Sequence, residues 1–335
     1  MSPEECKKKI QDLNSTLWDN RVRGPRIDEW LNNFSDDLEK DYALYILSRM
    51  MYYSSLNIRS LLKSLYRDLY RYPIIREIRE KNDDSIDPNI IEKQFLQELN
   101  KTRFLGVGNP SESGVHLLYF FRQENKIRRD LFVNTDDVIR YDDDNKPYIN
   151  EAFKDVKRFV FIDDLCGSGI QATSDDSNVR RCVGNIRDVV NNAEISYFML
   201  FGLSNGVEYV RNYEFCGKKL YDHVEALIEL DGSYSCFSDT SRFFNDGYHD
   251  KEIAKNIAHK YGYKLAYDLS KKEGYTEYTS PTIAEQSEYR ALGWGDCQLL
   301  LSMYYNTPDN TLPIIWYDEN DELWTPIFKR YNKVY

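Results

Sequence analysis

The segment Phe159-Val160-Phe161-Ile162-Asp163-Asp164-Leu165-Cys166-Gly167-Ser168-Gly169-Ile170-Gln171 decides the fold. Its four leading apolar residues predict a strand buried on both faces of a sheet. Two acids follow, and glycines at 167 and 169 allow the chain to turn sharply into a helix. A strand, a tight loop and a helix in this order form the repeating unit of parallel α/β sheets.

The segments on either side continue this alternation. Further strands are predicted at 103–107, 195–203 and 224–230, and helices at 115–127 and 178–190. Short extended segments are also expected at 131–134 and 297–304, with an acidic loop at 136–148. Strands that alternate with helices indicate an α/β fold with a parallel sheet.

Three regions follow from these patterns. In residues 1–95, leucines recur at three- and four-residue steps, which predicts a helical N-terminal region. Residues 96–235 form the predicted core. Residues 236–335 are polar and rich in tyrosine, and we expect them to form a C-terminal cap that completes the core.

The composition excludes several classes of protein. The chain has 335 residues and a net charge of −11, which is unlike a protein that coats duplex nucleic acid. Its six cysteines and four histidines show no paired metal-binding spacing. No apolar run reaches the roughly 18 residues of a membrane span. We expect a cytoplasmic protein with reduced thiols and no membrane partner.

The loop after the central strand has the residue types of a phosphate and ribose site. In α/β sheets, ligands bind beyond the carboxyl ends of the strands. Backbone N–H groups around Gly167 and Gly169 can point at a phosphate, and Ser168 adds a hydroxyl donor. Asp163 and Asp164 can accept hydrogen bonds from two ribose hydroxyls. The alternative is that the acids only cap the following helix, but a cap needs one acid and no Gly-Ser-Gly.

This segment resembles the phosphoribosyl pyrophosphate signature of type I phosphoribosyltransferases. It departs from that signature at Gly167 and Gln171, where those enzymes usually carry Thr or Ser, so backbone N–H groups must bind more of the phosphate. Residues 104–125 and 306–330, beginning FLGVGNPSESG and NTPDNTLPIIW, narrow the resemblance. Together with the central loop they resemble the PRTase-CE family, the phosphoribosyltransferase-like domain of bacterial conflict and antiphage systems.

The resemblance implies a type I phosphoribosyltransferase-like fold and a set of roles. Asp163 and Asp164 would hold the ribose, stabilise positive charge at C1 and touch Mg²⁺ through water. The backbone of 165–171 would bind the 5-phosphate. In the resembled fold the loop 106–114 holds pyrophosphate, with Arg122 on the next helix facing it. Candidate residues in or next to that loop are Gly108, Asn109, Ser111, Ser113 and Arg122. The alternatives are an ordinary glycine-rich turn and a surface arginine.

The resemblance also implies a role in antiphage defence, with phosphoribosyl pyrophosphate or a nucleotide as ligand. Partners would be other proteins or a ribonucleoprotein of a defence operon, including a retron reverse transcriptase. The rival hypothesis is a module that senses a nucleotide without catalysis. Direct binding of nucleic acid is a third and weaker hypothesis. Residues 304–316 form either a structural corner or a lid that stacks on a base.

Overall fold

The computed structural model describes residues 1–108, 113–175, 177–190, 192–318, 320 and 322–330. For residues 113–115 it describes the backbone alone. Within these ranges the helices are α1 (Pro3–Thr16), α2 (Gly24–Leu31), α3 (Asp37–Leu47), α4 (Ser55–Ser64), α5 (Tyr72–Glu80), α6 (Pro88–Asn100), α7 (Ser113–Asn125), α8 (Thr135–Val138), α9 (Ile170–Thr173), α10 (Asn178–Val189), α11 (Ser204–Asn212), α12 (Lys251–Lys272), α13 (Ile283–Arg290) and α14 (Pro313–Trp316). A π-helix covers Leu65–Arg71, between α4 and α5.

The described strands are fewer than the helices, and most of them are shorter. They are β1 (Met51–Tyr53), β2 (Thr102–Gly106), β3 (Ile139–Tyr141), β4 (Pro147–Ile149), β5 (Arg158–Cys166), β6 (Glu194–Leu203), β7 (Glu214–Phe215), β8 (Lys218–Lys219), β9 (His223–Leu230) and β10 (Leu301–Met303). The chain divides into two compact units. We call residues 59–230 the sheet unit, and residues 1–58 with 231–335 the terminal unit.

The sheet unit is built on four parallel strands in the order β2-β5-β6-β9. β5 is central: Gly106 of β2 pairs with Ile162 on one side, and Asp163 pairs with Met199 of β6 on the other. Burial runs along almost the whole of β5, as its apolar sequence predicts. The carboxyl ends of β2 and β5 therefore meet at one edge of the sheet.

Apolar side chains cover both faces of this sheet. On one face Phe159, Phe161 and Tyr197 pack in a core with Val183 and Ile186 of α10. On the other face aromatic rings of the π-helix and α7 pack on β2. The centroids of the Tyr70 and Phe104 rings lie 5.1 Å apart, and those of Phe104 and Phe121 lie 5.4 Å apart. This cover on both sides explains why the strands carry continuous apolar runs.

The terminal unit has its own aromatic core, which includes Trp30, Tyr45 and Trp316. In it, β1 pairs with β10 in a parallel ladder of three residues. Trp316 is 3% exposed, and its Nε1 donates a hydrogen bond to the Thr311 carbonyl over 2.7 Å. A buried, hydrogen-bonded indole is not available to stack on a ligand, so Trp316 belongs to a structural corner rather than to a lid.

Most sequence-based expectations for individual elements agree with the structure. The α/β class and the parallel sheet are confirmed. Four local expectations are wrong. The stretch 136–148, expected to be an acidic loop, contains most of α8 and of the antiparallel pair β3–β4, with only its Asp-rich turn between the strands. Strand β1 interrupts the helices of the first 95 residues, residues 131–134 contribute only a bridge between Phe104 and Phe132, and β5 continues past Ile162 to Cys166. The π-helix was also not foreseen.

The three regions expected from the sequence remain a prediction about organisation. The contacts group residues 59–95 with the sheet. None of the described helices is long and apolar enough to cross a membrane.

Candidate functional site

The two acids lie within strand β5, near its carboxyl end, rather than after the strand. The ladder to β6 continues through Asp163, Leu165 and Cys166, so the strand holds the backbone of the acids in an extended form. Asp163 is 4% exposed and Asp164 is 8% exposed. This burial is deeper than a helix-capping role would require.

Asp163 is anchored by a tyrosine of the neighbouring strand. The Tyr197 hydroxyl donates a hydrogen bond to Asp163 Oδ2 over 2.7 Å, and the Asp164 backbone N–H donates to Asp163 Oδ1 over 2.9 Å. Burial raises the pKa of Asp163 well above its ordinary value. The adjacent Asp164 carboxyl raises that pKa further, by charge repulsion and by a hydrogen bond between the two side chains. The structure thus brings both carboxyl groups together, and burial beside Asp164 favours the protonated form of Asp163.

Asp164 also stabilises the turn of the chain that follows. Its Oδ1 accepts a hydrogen bond from the Leu165 backbone N–H over 2.9 Å. Beside it, burial and the Asp163 charge raise the pKa of the Cys166 thiol to about 12. Cys166 is therefore a neutral packing group at neutral pH, not a nucleophile.

Glycines shape the loop from 167 to 169. Gly169 has φ +81°, and a Cβ there would lie 2.6 Å from Val210 Cγ2 and 3.0 Å from the Gly206 carbonyl oxygen. A Cβ on Gly206 would lie 1.8 Å from the Gly167 carbonyl oxygen. The loop therefore sits directly on the first turn of α11, and only glycine fits at both positions.

The loop leads into one turn of helix, α9, with few free hydroxyl groups. Ser168 is exposed, and its Oγ accepts a hydrogen bond from the Ile170 N–H over 3.4 Å. Thr173 is buried and donates to the Gly169 carbonyl over 3.0 Å, so its hydroxyl is used inside the loop. Gln171 is exposed. Ser168 is the hydroxyl that this loop presents outward among its described residues.

The second candidate loop begins at the same edge of the sheet. The Val107 N–H donates to the Ile162 carbonyl over 3.0 Å, directly before the acids. Gly108 has φ +100°, which glycine adopts without strain. Asn109 and Ser111 lie outside the described residues, and for Ser113, the first residue of α7, only the backbone is described.

Arg122 lies in the last turn of α7. It is partly exposed, and its guanidinium carbon stands 5.8 Å from the centre of the Tyr119 ring. Its predicted role as a pyrophosphate ligand stays a prediction.

Two tyrosines were missed by sequence reasoning. Tyr197 and Tyr221 are each 1% exposed, and their ring centroids lie 5.4 Å apart beneath the loop. The Tyr221 hydroxyl donates to the Ala172 carbonyl over 2.9 Å and so ties down α9. A hydroxyl within an otherwise apolar strand was the available signal, because a buried Tyr usually has a hydrogen-bond partner.

The described residues contain no group of three or more His, Cys, Asp or Glu side chains that could hold a metal ion. The paired carboxyls are the available acidic donors in this loop, and one of them is bound to Tyr197. This donor set fits a hydrated ion that arrives with an anionic ligand better than an ion caged by protein.

Comparison with known proteins gives one clear result. A family model described as PRTase-CE matches residues 27–330, which is most of the chain and includes both loops. No curated protein and no solved structure gives a match.

Proposed function

Because the chain belongs to the PRTase-CE family, we propose that it binds phosphoribosyl pyrophosphate or a nucleotide at the carboxyl edge of its sheet and acts at ribose C1. The chain contains a phosphoribosyltransferase-like domain. The observation that carries the proposal is the buried pair Asp163–Asp164, directly followed by a glycine loop packed on α11. The residues of this edge have the acceptors for ribose hydroxyls and the backbone donors for a phosphate.

The two acids divide the work in this proposal. Asp164 contacts the ribose hydroxyls, because it lies one residue closer to the loop and is 8% exposed, against 4% for Asp163. Asp163 accepts a hydrogen bond from the Asp164 backbone N–H and so fixes the position of Asp164. A direct contact between Asp163 and the ribose would have to replace or share its hydrogen bond from Tyr197. Negative charge shared by the pair stabilises the positive charge that develops at C1.

Backbone N–H groups of 165–171 would bind the 5-phosphate, helped by the exposed Ser168. Pyrophosphate would leave toward the loop that begins at Gly108, with Arg122 as its cationic partner. When bound, Mg²⁺ would neutralise the leaving pyrophosphate, and the acid pair would reach that ion through water.

A specific observation also supports a second candidate, a sensing module without turnover. Gln171 stands where related enzymes carry a hydroxyl, and Thr173 is directed inward to the Gly169 carbonyl. A loop with one outward hydroxyl can bind a phosphate without placing it for reaction. In either case, we propose a role in antiphage defence beside protein or ribonucleoprotein partners, in the cytoplasm, on the family resemblance alone.

The test is incubation of the full chain with labelled phosphoribosyl pyrophosphate, Mg²⁺ and a panel of bases and nucleotides, with products read by mass spectrometry. The double variant Asp163→Asn, Asp164→Asn removes the acid pair. Asp188→Asn, an exposed acid of α10, is the matched control. Turnover in the wild type that falls at least roughly a hundredfold in the double variant supports catalysis.

Undiminished turnover in the double variant would refute the catalytic assignment. Wild-type binding without turnover, lost in the double variant and kept in Asp188→Asn, would favour the sensor. Neither binding nor turnover in the wild type would refute both.

A further inference from the structure

The terminal unit contains a cleft with an aromatic wall and a cationic rim, unrelated in sequence to the acid pair. It has a volume of about 240 Å³ and is formed by residues of four segments, around 21–26, 52, 302–306 and 327–329. Its cations are Arg21, Arg23, Arg26 and Lys329, and its partly exposed rings are Tyr304 and Tyr305. In a chain with net charge −11, four cations around one small cleft form a local region of opposite sign.

Two of these cations are already paired and two are not. Arg26 contacts Glu29 at 3.3 Å, and Lys329 contacts Asp318 at 2.8 Å. Across the described parts of the chain, the guanidinium groups of Arg21 and Arg23 make no hydrogen bond or ion pair, and both residues are exposed. Their donors are therefore available to an anion from solution. A guanidinium presents paired N–H groups that match two oxygens of a phosphate.

The walls of the cleft are aromatic and held by the core. Tyr52 and Phe328 stack with ring centroids 5.2 Å apart at an interplanar angle of 25°, and both are buried. The Tyr304 and Tyr305 rings lie 5.0 Å apart at 89°, edge to face. Reciprocal backbone hydrogen bonds between Met303 and Asn306, of 2.9 and 3.1 Å, fix the turn that carries these two rings.

We propose that this cleft binds a free nucleoside monophosphate, with its phosphate on Arg21 and Arg23 and its base against the rings of Tyr304 and Tyr305. Stacking of a base on an aromatic ring contributes about 1–3 kcal/mol, and it tolerates any base because each has a π-face. The cleft is smaller than the roughly 300–1,000 Å³ of sites that enclose a drug-sized ligand, so a bound nucleotide would remain partly in solvent. The inference does not rest on the proposed function, since none of these residues belongs to 59–230.

Acids that act on the residues of the cleft limit the ligand further. Glu29 and Asp318 each neutralise one cation of the cleft. The remaining positive charge is that of Arg21 and Arg23, reduced by the negative charge of Asp19, which acts on Tyr52. That charge, between one and two, offsets most of the charge of a single phosphate group, about −1.5 to −2, but not that of three. We therefore expect a monophosphate to bind at least as well as a triphosphate, whose extra charges would meet these acids.

Photolabelling of the full chain with 8-azidoadenosine monophosphate tests the proposal. We expect the label in the peptide containing Tyr304 and Tyr305, with competition by adenosine monophosphate but not by equal inorganic phosphate. The double variant Arg21→Gln, Arg23→Gln should lower labelling roughly tenfold or more, because two charge-assisted contacts are lost. Arg140→Gln, at an exposed arginine of the sheet unit, should leave it unchanged.

Three outcomes would overturn the proposal. One is the absence of label from residues 301–306. Another is equal labelling of the wild type and the double variant. The third is competition by a 5′-phosphorylated oligonucleotide with none by the monophosphate, which would assign the cleft to a nucleic-acid end. Tyr305→Leu, which keeps both arginines, provides a second check and should also weaken labelling. Label at 165–171 reports the other site, so failure of either idea is distinguishable.

Discussion

The Tyr197 hydroxyl donates a hydrogen bond of 2.7 Å to Asp163 Oδ2, joining two neighbouring strands through side chains 34 positions apart in the chain. Both groups are almost completely buried. A buried carboxyl needs such a partner, because losing water without replacement costs several kcal/mol. This bond explains how an acid stays in the interior of the sheet, next to a second acid.

Tyr197→Phe should lower the free energy of unfolding by about 1–3 kcal/mol, since it leaves a buried acceptor with one donor fewer. It should also raise the pKa of Asp163 further, because the tyrosine bond is one of the contacts that lower it. Urea unfolding checks the first effect. Tyr148→Phe is the control, with a ring that is 48% exposed, and should change stability by less than about 0.5 kcal/mol. Equal stability of Tyr197→Phe and wild type would contradict the buried bond.

The contribution of Asp163 to the free energy of unfolding should fall as the pH rises. Its folded pKa lies above the ordinary value of 3.8, so the folded state holds a proton that the unfolded state releases. The group's contribution is therefore most favourable below pH 3.8 and is lost as pH climbs from there through the raised pKa. Asp163→Asn removes this dependence.

The measurement is the difference in unfolding free energy between Asp163→Asn and wild type, at several pH values from 4 to 8. The unfolding free energy of Asp163→Asn should rise relative to that of the wild type as the pH increases. Asp188→Asn, at an exposed site, is the control for the general effect of removing one carboxyl group. A difference that is flat with pH would show that Asp163 titrates normally.

Gly169→Ala should destabilise the fold by more than the cost of its backbone conformation. Gly217 provides the matched control: it has φ +74° with no atom within 4 Å of a Cβ, whereas Gly169 has φ +81° and a Cβ site 2.6 Å from Val210. Gly217→Ala should cost about 1–2 kcal/mol from backbone strain alone. Gly169→Ala should cost at least about 1 kcal/mol more, since the loop or α11 must move. Equal thermal unfolding of the two variants would mean that the loop is not packed as described.

Arg158→Leu should destabilise the sheet unit in a pH-dependent way. Arg158 is 9% exposed and forms ion pairs with Glu77, Glu98 and Glu194, from the helices on one side and β6 on the other. Without it we expect a loss of about 2 kcal/mol or more at pH 7, because three partly buried carboxylates lose their cation. Burial raises the pKa of Glu98 and of Glu194. Hydrogen bonds and charge from Arg158 oppose that effect and help to hold both pKa values below the ordinary one.

The stabilising effect of Arg158 is therefore present above pH 4.5 and is lost as pH falls through the lowered values. The cost of Arg158→Leu should shrink as the pH falls from 4.5 toward about 3 in urea unfolding experiments. Arg140→Leu, at an exposed site, is the control. A cost that grows as the pH falls would contradict these ion pairs.

Much of the fold could be predicted because the sequence patterns that specify it are local. Apolar runs predicted β5 and β6, the mostly apolar stretch 224–230 predicted β9, and leucine spacing predicted the helical first 95 residues. The end of β5 was misplaced, since a pair of acids is normally a reason to end a buried strand. The short β1 was missed for a different reason: its ladder partner, β10, lies 250 positions away at Met51↔Leu301, and no local pattern reports such a pairing.

The sequence by itself determined the class of the sheet, the position of the acid pair and the glycine loop, because strand and turn propensities act between near neighbours. Only the tertiary structure decided what those residues contact. Strand register placed Tyr197 against Asp163, and packing of α11 placed Gly206 against the Gly167 carbonyl. Likewise, Arg21 and Arg23 line one cleft with Tyr304 and Tyr305 only after folding. Such contacts join distant positions, and their geometry depends on the packing of the whole unit.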